Sequence, residues 1–361
     1  MPETAPPAYR FGSVDLNFHY PENDFYCFLF RIRGRMLRAV RGGNAGGTLE
    51  PHTAAVRVEQ GESARKNVRA SETVLLLQVS RPGLWSTTAL FYLMPLGHAD
   101  FLHSPSLWLG LIYVLFPMGF LLYGVNDIVD AEADRLNPRK GTFLFGSLGA
   151  AEQLAALRWK IAAVQIPFLA AFFVLTGPRI LYWFAALLLA VALYNAPRFA
   201  WKSHPPFDVL IQSSYLLVFV LSSWLNQAHQ LPWQTFLFGA LFAMHSHIFG
   251  EVMDIAPDKS SGRRTTATLI GAAPSKLLIA GLLFVETLLV FVFFRDLVIT
   301  IFLCLGCLWF LVDALLVWKD RPYSPRQMRL FMWGWNAAAC AGMFWNWSAS
   351  SLTHAWHVSR F

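Results

Sequence analysis

Long uncharged apolar runs separated by short polar breaks dominate this chain from about residue 83 onward. The pattern predicts nine apolar segments, at 83–101, 107–126, 160–176, 178–195, 207–225, 232–252, 275–294, 297–317 and 328–348. A bilayer core requires about 20 residues of helix to cross it. Barrel strands would alternate in polarity, and lipid-exposed backbone must satisfy its hydrogen bonds within its own segment. The expected class is therefore all-α, a polytopic membrane protein with nine transmembrane helices.

Composition agrees. Of 361 residues, 55% are hydrophobic and only 14% charged, which excludes an ordinary soluble domain. The formal net charge of +7 could point to nucleic acid, but no nucleic-acid motif accompanies it. Its distribution carries more information. With nine spans and a cytoplasmic N-terminus, the loops and helix ends on the cytoplasmic side carry fifteen basic residues, from Arg135 to Arg329. The other side carries three, Arg179, Arg295 and Arg360. That asymmetry follows the positive-inside rule and sets the expected orientation.

The first 75 residues differ, with ten Lys or Arg, eight acids and Gly- and Pro-containing stretches. The segment "FLFRIRGRMLRAVR" (28–41) reads either as a membrane-surface element or as a weakly ordered basic tail. The domain expectation is a basic cytoplasmic extension over 1–77, a transmembrane domain over 78–350 and a short tail over 351–361. Cys304 and Cys307 form a CxxC inside an oily helix, where they read as packing residues.

The chemistry gathers where two spans end. "NDIVDAEAD" places Asp127, Asp130 and Asp134 at offsets of three and four, on one helix face. "GEVMDIAPD" repeats the spacing with Glu251, Asp254 and Asp258, each 124 residues after its counterpart. Like charges at this spacing repel, so cations are expected to neutralise them. Carboxylate oxygens are hard ligands suited to Mg²⁺, which commonly binds a few carboxylates together with substrate phosphates. Pro257 is expected to kink or end the second helix. Arg139, Lys140, Arg198, Lys202, Arg263 and Arg264 lie on the same predicted membrane face. Metal with converging bases suits a diphosphate, although each of these bases also reads as an ordinary positive-inside residue. Glu286 and Asp313 are expected to face the bundle interior in hydrogen-bonding roles. His245 and His247, two apart, fall on different helix faces and are not expected to share a metal.

These motifs resemble the UbiA superfamily of intramembrane prenyltransferases over roughly residues 78–348. "NDIVDAEAD" is similar to the family's first aspartate-rich motif, with Asn126 at its head. The second keeps Asp254, Asp258, Gly262 and Thr265, with Gly250-Glu251 where many members have Asn-Asp. "YNAPRFAWKSHPPFD" is similar to a third segment at Tyr194, Pro197, Lys202, Pro205 and Asp208. An arginine common two places before that lysine is Ala200 here, leaving Arg198 as its candidate replacement. A finer resemblance, carried by "SRPGLW", "YGVND", "NPRKG", "MDIAPD" and "GRRTTAT", is to the branch containing lycopene elongases.

The resemblance implies helices around a central cavity and a Mg²⁺-bound isoprenyl diphosphate. It implies metal ligation by Asp127, Asp130, Asp134, Glu251, Asp254 and Asp258. Diphosphate contacts would come from Asn126, Arg139, Lys140, Arg198, Lys202, Arg263 and Arg264. Tyr194 reads as a cation-stabilising ring or an interfacial tyrosine. Asp208 reads as an aid to proton loss, an orienter of Lys202 or a helix cap. The implied partners are an isoprenyl diphosphate, a lipophilic acceptor such as a carotenoid, and membrane lipid; no nucleic acid is expected. An aromatic or quinone-precursor transferase and an acceptor-free terpene cyclase remain open, with a divalent-cation transporter more distant.

Overall fold

The structure, a computed structural model, describes residues 71–97 and 102–355. The basic segment 28–41 lies outside them. Among the described residues the only β-type pairing is an isolated bridge between Thr142 and Gly146, and everything else regular is helical.

The helices run in the order α1 (Glu72–Val79), α2 (Trp85–Leu93), α3 (Pro105–Leu115), α4 (Pro117–Val129), α5 (Ala131–Asp134), α6 (Ala151–Thr176) and α7 (Arg179–Asn195). They continue with α8 (Phe207–Leu210), α9 (Leu217–Leu225), α10 (Trp233–Ser260), α11 (Thr266–Ile270), α12 (Ala272–Phe293), α13 (Leu297–Val312) and α14 (Pro325–Ala349).

Local chemistry sets many of these boundaries. Proline occupies the first helical position of α3, α4 and α14, where its missing N–H costs nothing. Ser324 and Gln327 form a reciprocal capping box at the start of α14. Asp296 caps α13 through the Ile299 N–H at 2.9 Å.

Among the described residues, six stretches are long and apolar enough to cross a membrane: Pro105–Val129, Glu152–Thr176, Phe207–Leu225, Trp233–Ser260, Ala272–Phe293 and Leu297–Val317. The described residues of the three other expected spans are largely helical but do not meet that standard. The described part of segment 83–101 holds the nine residues of α2 and a 3-10 turn over Met94–Leu96. The apolar α7 has 17 residues. Helix α14 has the length, at 25 residues, but Arg326, Arg329, Asn336 and Asn346 dilute its apolar character.

Two predicted spans are also not single helices. Pro117 divides 105–129 at Phe116, and the 3-10 turn Ile211–Leu216 separates α8 from α9. Pro257, expected to kink or end α10, lies inside it, and the helix continues to Ser260.

The exterior is oily. Val174, Tyr182, Leu316 and Phe344 are among many large apolar side chains left exposed, as suits a surface solvated by lipid. Inside, Tyr113, Phe168, Phe172, Trp183 and Phe184 interlock edge to face. Helix α12 packs on both α10 and α13, α4 on α6, and α14 on α2.

Lys276, expected at a basic helix end, is instead fully buried. It donates to Asp313 at 3.0 Å and to the Lys319 carbonyl at 2.9 Å, beside a π-helical turn at Asp313–Val317. Asp313 also accepts from the Tyr323 hydroxyl. Glu286 pairs with His245 at 2.7 Å. Both acids thus face the interior, as expected. Cys304 and Cys307 are free thiols, and Cys307 donates to the Ala280 carbonyl.

The edges of the expected domain are structured where they are described. Residues 72–77 belong to α1, which Glu72 ties to Lys160. In the tail, the buried Leu352 accepts from the Thr235 hydroxyl and donates to Asn346.

Candidate active site

Both acidic stripes lie at the C-terminal ends of long apolar helices, and the fold turns them toward each other. The first spans the end of α4, the break at Asp130 and α5. The second occupies the last turns of α10. Between them run the loop after α5, the 3-10 turn holding Lys202, and the loop before α11.

The bases lie among the acids. Lys202 Nζ donates to Asp130 at 2.7 Å and to the side-chain oxygens of Asn195 and Asn126 at 3.2 and 3.4 Å. Arg263 spans the two stripes, at 2.6 Å from Asp130 and 3.6 Å from Asp258. Arg139 pairs with Asp254, to which Asn137 also donates at 2.9 Å. Lys140 lies 2.7 Å from Asp134 and 3.0 Å from Asp127.

Burial shapes the electrostatics. It pulls the Lys202 ammonium below the usual lysine range, against the opposing pull of Asp130. It pushes Asp134 above the ordinary carboxylate range despite Lys140. For Arg263 burial works against the charge, but Asp130 and Asp258 outweigh it and raise the pKa.

One residue with no role assigned from the sequence joins this group. Arg81, with left-handed φ of 52°, donates to Asp127 at 3.2 Å and lies 4.4 Å from the centre of the Tyr123 ring. Its turn is held by close backbone approaches. A Cβ on Gly83 would meet the Leu144 backbone at 2.6 Å, and one on Gly119 would meet the Ser80 carbonyl at 2.8 Å. Ser147, also unassigned, donates to Asp127. The "SRPGLW" segment was visible in the sequence, but nothing local in it says that Arg81 faces an acid 46 residues away.

A cavity of about 320 Å³ opens among these groups. Arg81, Asn126, Asp134, Arg139, Lys140, Lys202, Glu251, Asp254, Asp258 and Arg263 line its ionic end. Phe91, Met118, Leu122, Leu187, Val191, Phe242 and Trp335 line its apolar end. Tyr194 and Tyr215 stand along the wall, with the Lys202 ammonium 6.0 Å from the Tyr194 ring. Tyr123 and Tyr215 join hydroxyl to hydroxyl at 2.7 Å. His247 lines the cavity, 3.1 Å from Glu251, while His245 turns to Glu286, so the two histidines do diverge.

Five expected positions do not line the cavity; one is Asp130, buried beside it with Lys202 and Arg263 on its carboxylate. Arg198, in the turn at 197–199, and Arg264, in the loop before α11, are exposed and do not line the cavity. Asp208 is fully buried but reaches neither Lys202 nor the cavity. It accepts from the Thr266 N–H and hydroxyl. Asp127 lies behind the cavity wall, engaged by Arg81, Lys140 and Ser147.

The donor set suits a hard cation. Asp130 Oδ2, Asp134 Oδ2 and Glu251 Oε1 are buried without a well-directed hydrogen bond, each beside a base. Among the described residues no three His, Cys, Asp or Glu side chains form a ready-made metal cage. A Mg²⁺ ion here would draw its remaining oxygens from water and from a phosphate-bearing ligand.

Residues 83–335 match the UbiA prenyltransferase family. The chain belongs to that family. It is a prenyltransferase of the intramembrane UbiA type and a multi-pass integral membrane protein. Among its relatives are the lycopene elongase/hydratase of Corynebacterium glutamicum, 32% identical over 55% of this chain and 70% of that one. That of Halobacterium salinarum is 30% identical over 57% and 75%. A decaprenyl-phosphate phosphoribosyltransferase of Corynebacterium glutamicum is 26% identical over 57% and 62%. The fold matches a UbiA homologue from Archaeoglobus fulgidus bound to DMAPP and Mg²⁺. That match has a TM-score of 0.56 at 20% identity, over 75% of this chain and 98% of the other.

Proposed function

We propose that this UbiA-family protein transfers an isoprenyl group from an allylic diphosphate to a lipophilic acceptor, a carotenoid such as lycopene, in a Mg²⁺-dependent reaction. One observation carries the reading: a single cavity joins a cluster of carboxylates and bases to an aromatic, apolar pocket. An allylic diphosphate has the same two halves. The names of the relatives support the acceptor class, and the ligands of the Archaeoglobus fulgidus structures support the donor class.

In this reading Asp130, Asp134, Asp254 and Asp258 hold the metal, which when bound supplies Lewis-acid stabilisation of the departing diphosphate. Lys202, Arg263, Arg139 and Lys140 bind the phosphate oxygens, with Asn126 beside them. Arg81 adds a further positive charge along the wall, and Asp127 holds Arg81 and Lys140 in place. The apolar end excludes water from the allylic cation, and Tyr194 offers it an aromatic face. The site opens to the cytoplasm, a placement supported by the fifteen-to-three asymmetry of basic residues.

The test is incubation of purified protein and Mg²⁺ with dimethylallyl, geranyl or geranylgeranyl diphosphate. Each is paired with lycopene, a quinone precursor or no acceptor, and products are read by mass spectrometry. A prenylated carotenoid is expected. A product formed without acceptor would make the protein a cyclase, and a prenylated aromatic would replace the carotenoid assignment.

A further inference from the structure

Asp208 is a fully buried carboxylate outside the cavity, and a buried acid is costly unless it is well satisfied. One donor is the Val209 N–H of its own helix at 3.0 Å, and two come from the start of α11. Thr266 gives its N–H to Oδ2 at 2.5 Å and its hydroxyl to Oδ1 at 2.8 Å. The next N–H, of Ala267, goes to Glu251 Oε2 at 3.1 Å, and that of Thr268 goes to the Thr265 hydroxyl at 3.2 Å. The first three N–H groups of α11, which have no partner within the helix, are thus all taken by side chains. Two of those side chains come from different helices, α8 and α10, and their carboxyl groups are neighbours.

The segment held this way begins with Gly262, whose φ of 73° is the left-handed conformation that favours glycine. Arg263 follows immediately. Its N–H donates to the Asp258 carbonyl at 2.9 Å, and its guanidinium spans Asp130 and Asp258.

We infer that Asp208 and Glu251 are positioning residues, a two-carboxylate clamp on the first turn of α11 that sets Arg263 across the two acidic stripes. Asp208 therefore acts through Arg263, not as a proton acceptor for the reacting carbon. Glu251 divides its oxygens, one holding α11 and the other facing His247. The consequence for catalysis rests on the proposed role of Arg263 as a ligand of the donor diphosphate. The clamp itself does not.

Two readouts keep those apart. Amide hydrogen exchange across residues 262–270 is measured on substrate-free protein in detergent, for the wild type, Asp208→Asn and Thr266→Ala. Exchange at 266–268 is expected to rise about tenfold or more in Asp208→Asn, and by less in Thr266→Ala, which keeps the carboxylate and guards against a variant that does not fold. The second readout is binding of a non-cleavable thiolo analogue of dimethylallyl diphosphate with Mg²⁺, by calorimetry. Asp208→Asn is expected to lose about tenfold in affinity, with kcat at saturating donor within about threefold of wild type. The double variant with Arg263→Ala should bind no more weakly than Arg263→Ala alone.

Unchanged exchange at 266–268 overturns the clamp. Additive losses overturn the route through Arg263. A fall in kcat with an altered pH profile and unchanged donor affinity would make Asp208 the proton acceptor instead. A wild type that exchanges as expected but binds no diphosphate removes the proposed function and leaves the clamp standing.

Discussion

Replacing Lys202 with methionine keeps the length of the side chain and removes its charge. Its ammonium is buried, with one short contact to Asp130 at 2.7 Å and two longer ones to Asn195 and Asn126. A hydrogen bond between charged partners contributes about 1.5–3 kcal/mol, and each longer neutral-acceptor contact adds about 0.5 kcal/mol. The donor diphosphate would lose a contact of the same charged kind, so roughly 2–4 kcal/mol of transition-state stabilisation is at stake, a fall of about 30- to 1,000-fold in kcat/KM. Stability should change little, because Asp130 keeps Arg263 at 2.6 Å. Lys202→Arg should not rescue activity, since a planar fork does not reproduce three divergent donors in a closed space. The assay is initial-rate kinetics over a range of donor at saturating acceptor, with thermal unfolding in the same detergent as the control for folding. A folded Lys202→Met enzyme within threefold of wild-type kcat/KM would refute the assignment.

Asp130→Ala and Asp254→Ala should each abolish Mg²⁺-dependent turnover while leaving the protein folded, and chelation of the metal should do the same to the wild type; near-normal product formation in either variant would sink the two-stripe reading. Arg198→Ala and Arg264→Ala should stay within about threefold of wild type, because both side chains are exposed and outside the cavity, and a larger loss would show that they reach the substrate. Lys276→Met should cost about 3–5 kcal/mol by stranding the buried Asp313 carboxylate, seen as a lowered unfolding temperature. Adding Asp313→Leu should recover part of that loss.

The all-helical class and the acidic stripes were readable along the chain, because both depend on local spacing. Runs such as 275–294 and 297–317 have the length and oiliness that lipid demands, and offsets of three and four place acids on one helix face. The motifs around Lys202 and Asp254 were likewise visible as short patterns. Where local composition is mixed, local reading stopped short. Residues 85–96 form a short helix and a 3-10 turn, and α14 carries too many polar side chains to qualify as a span by composition.

What only the tertiary structure decided is which charges meet. Arg81 finds Asp127 because glycines at 83 and 119 let backbones approach, a contact across 46 residues that no local spacing encodes. Arg198 and Lys202 are four residues apart in the same motif, yet one is exposed and the other buried against Asp130. Asp208 stands in that motif too, yet its carboxylate belongs to a helix 58 residues further on. Spacing along a helix determines which residues share a face. Packing between helices determines what that face meets, and in this protein the difference separates a base in the cavity from a base on the surface.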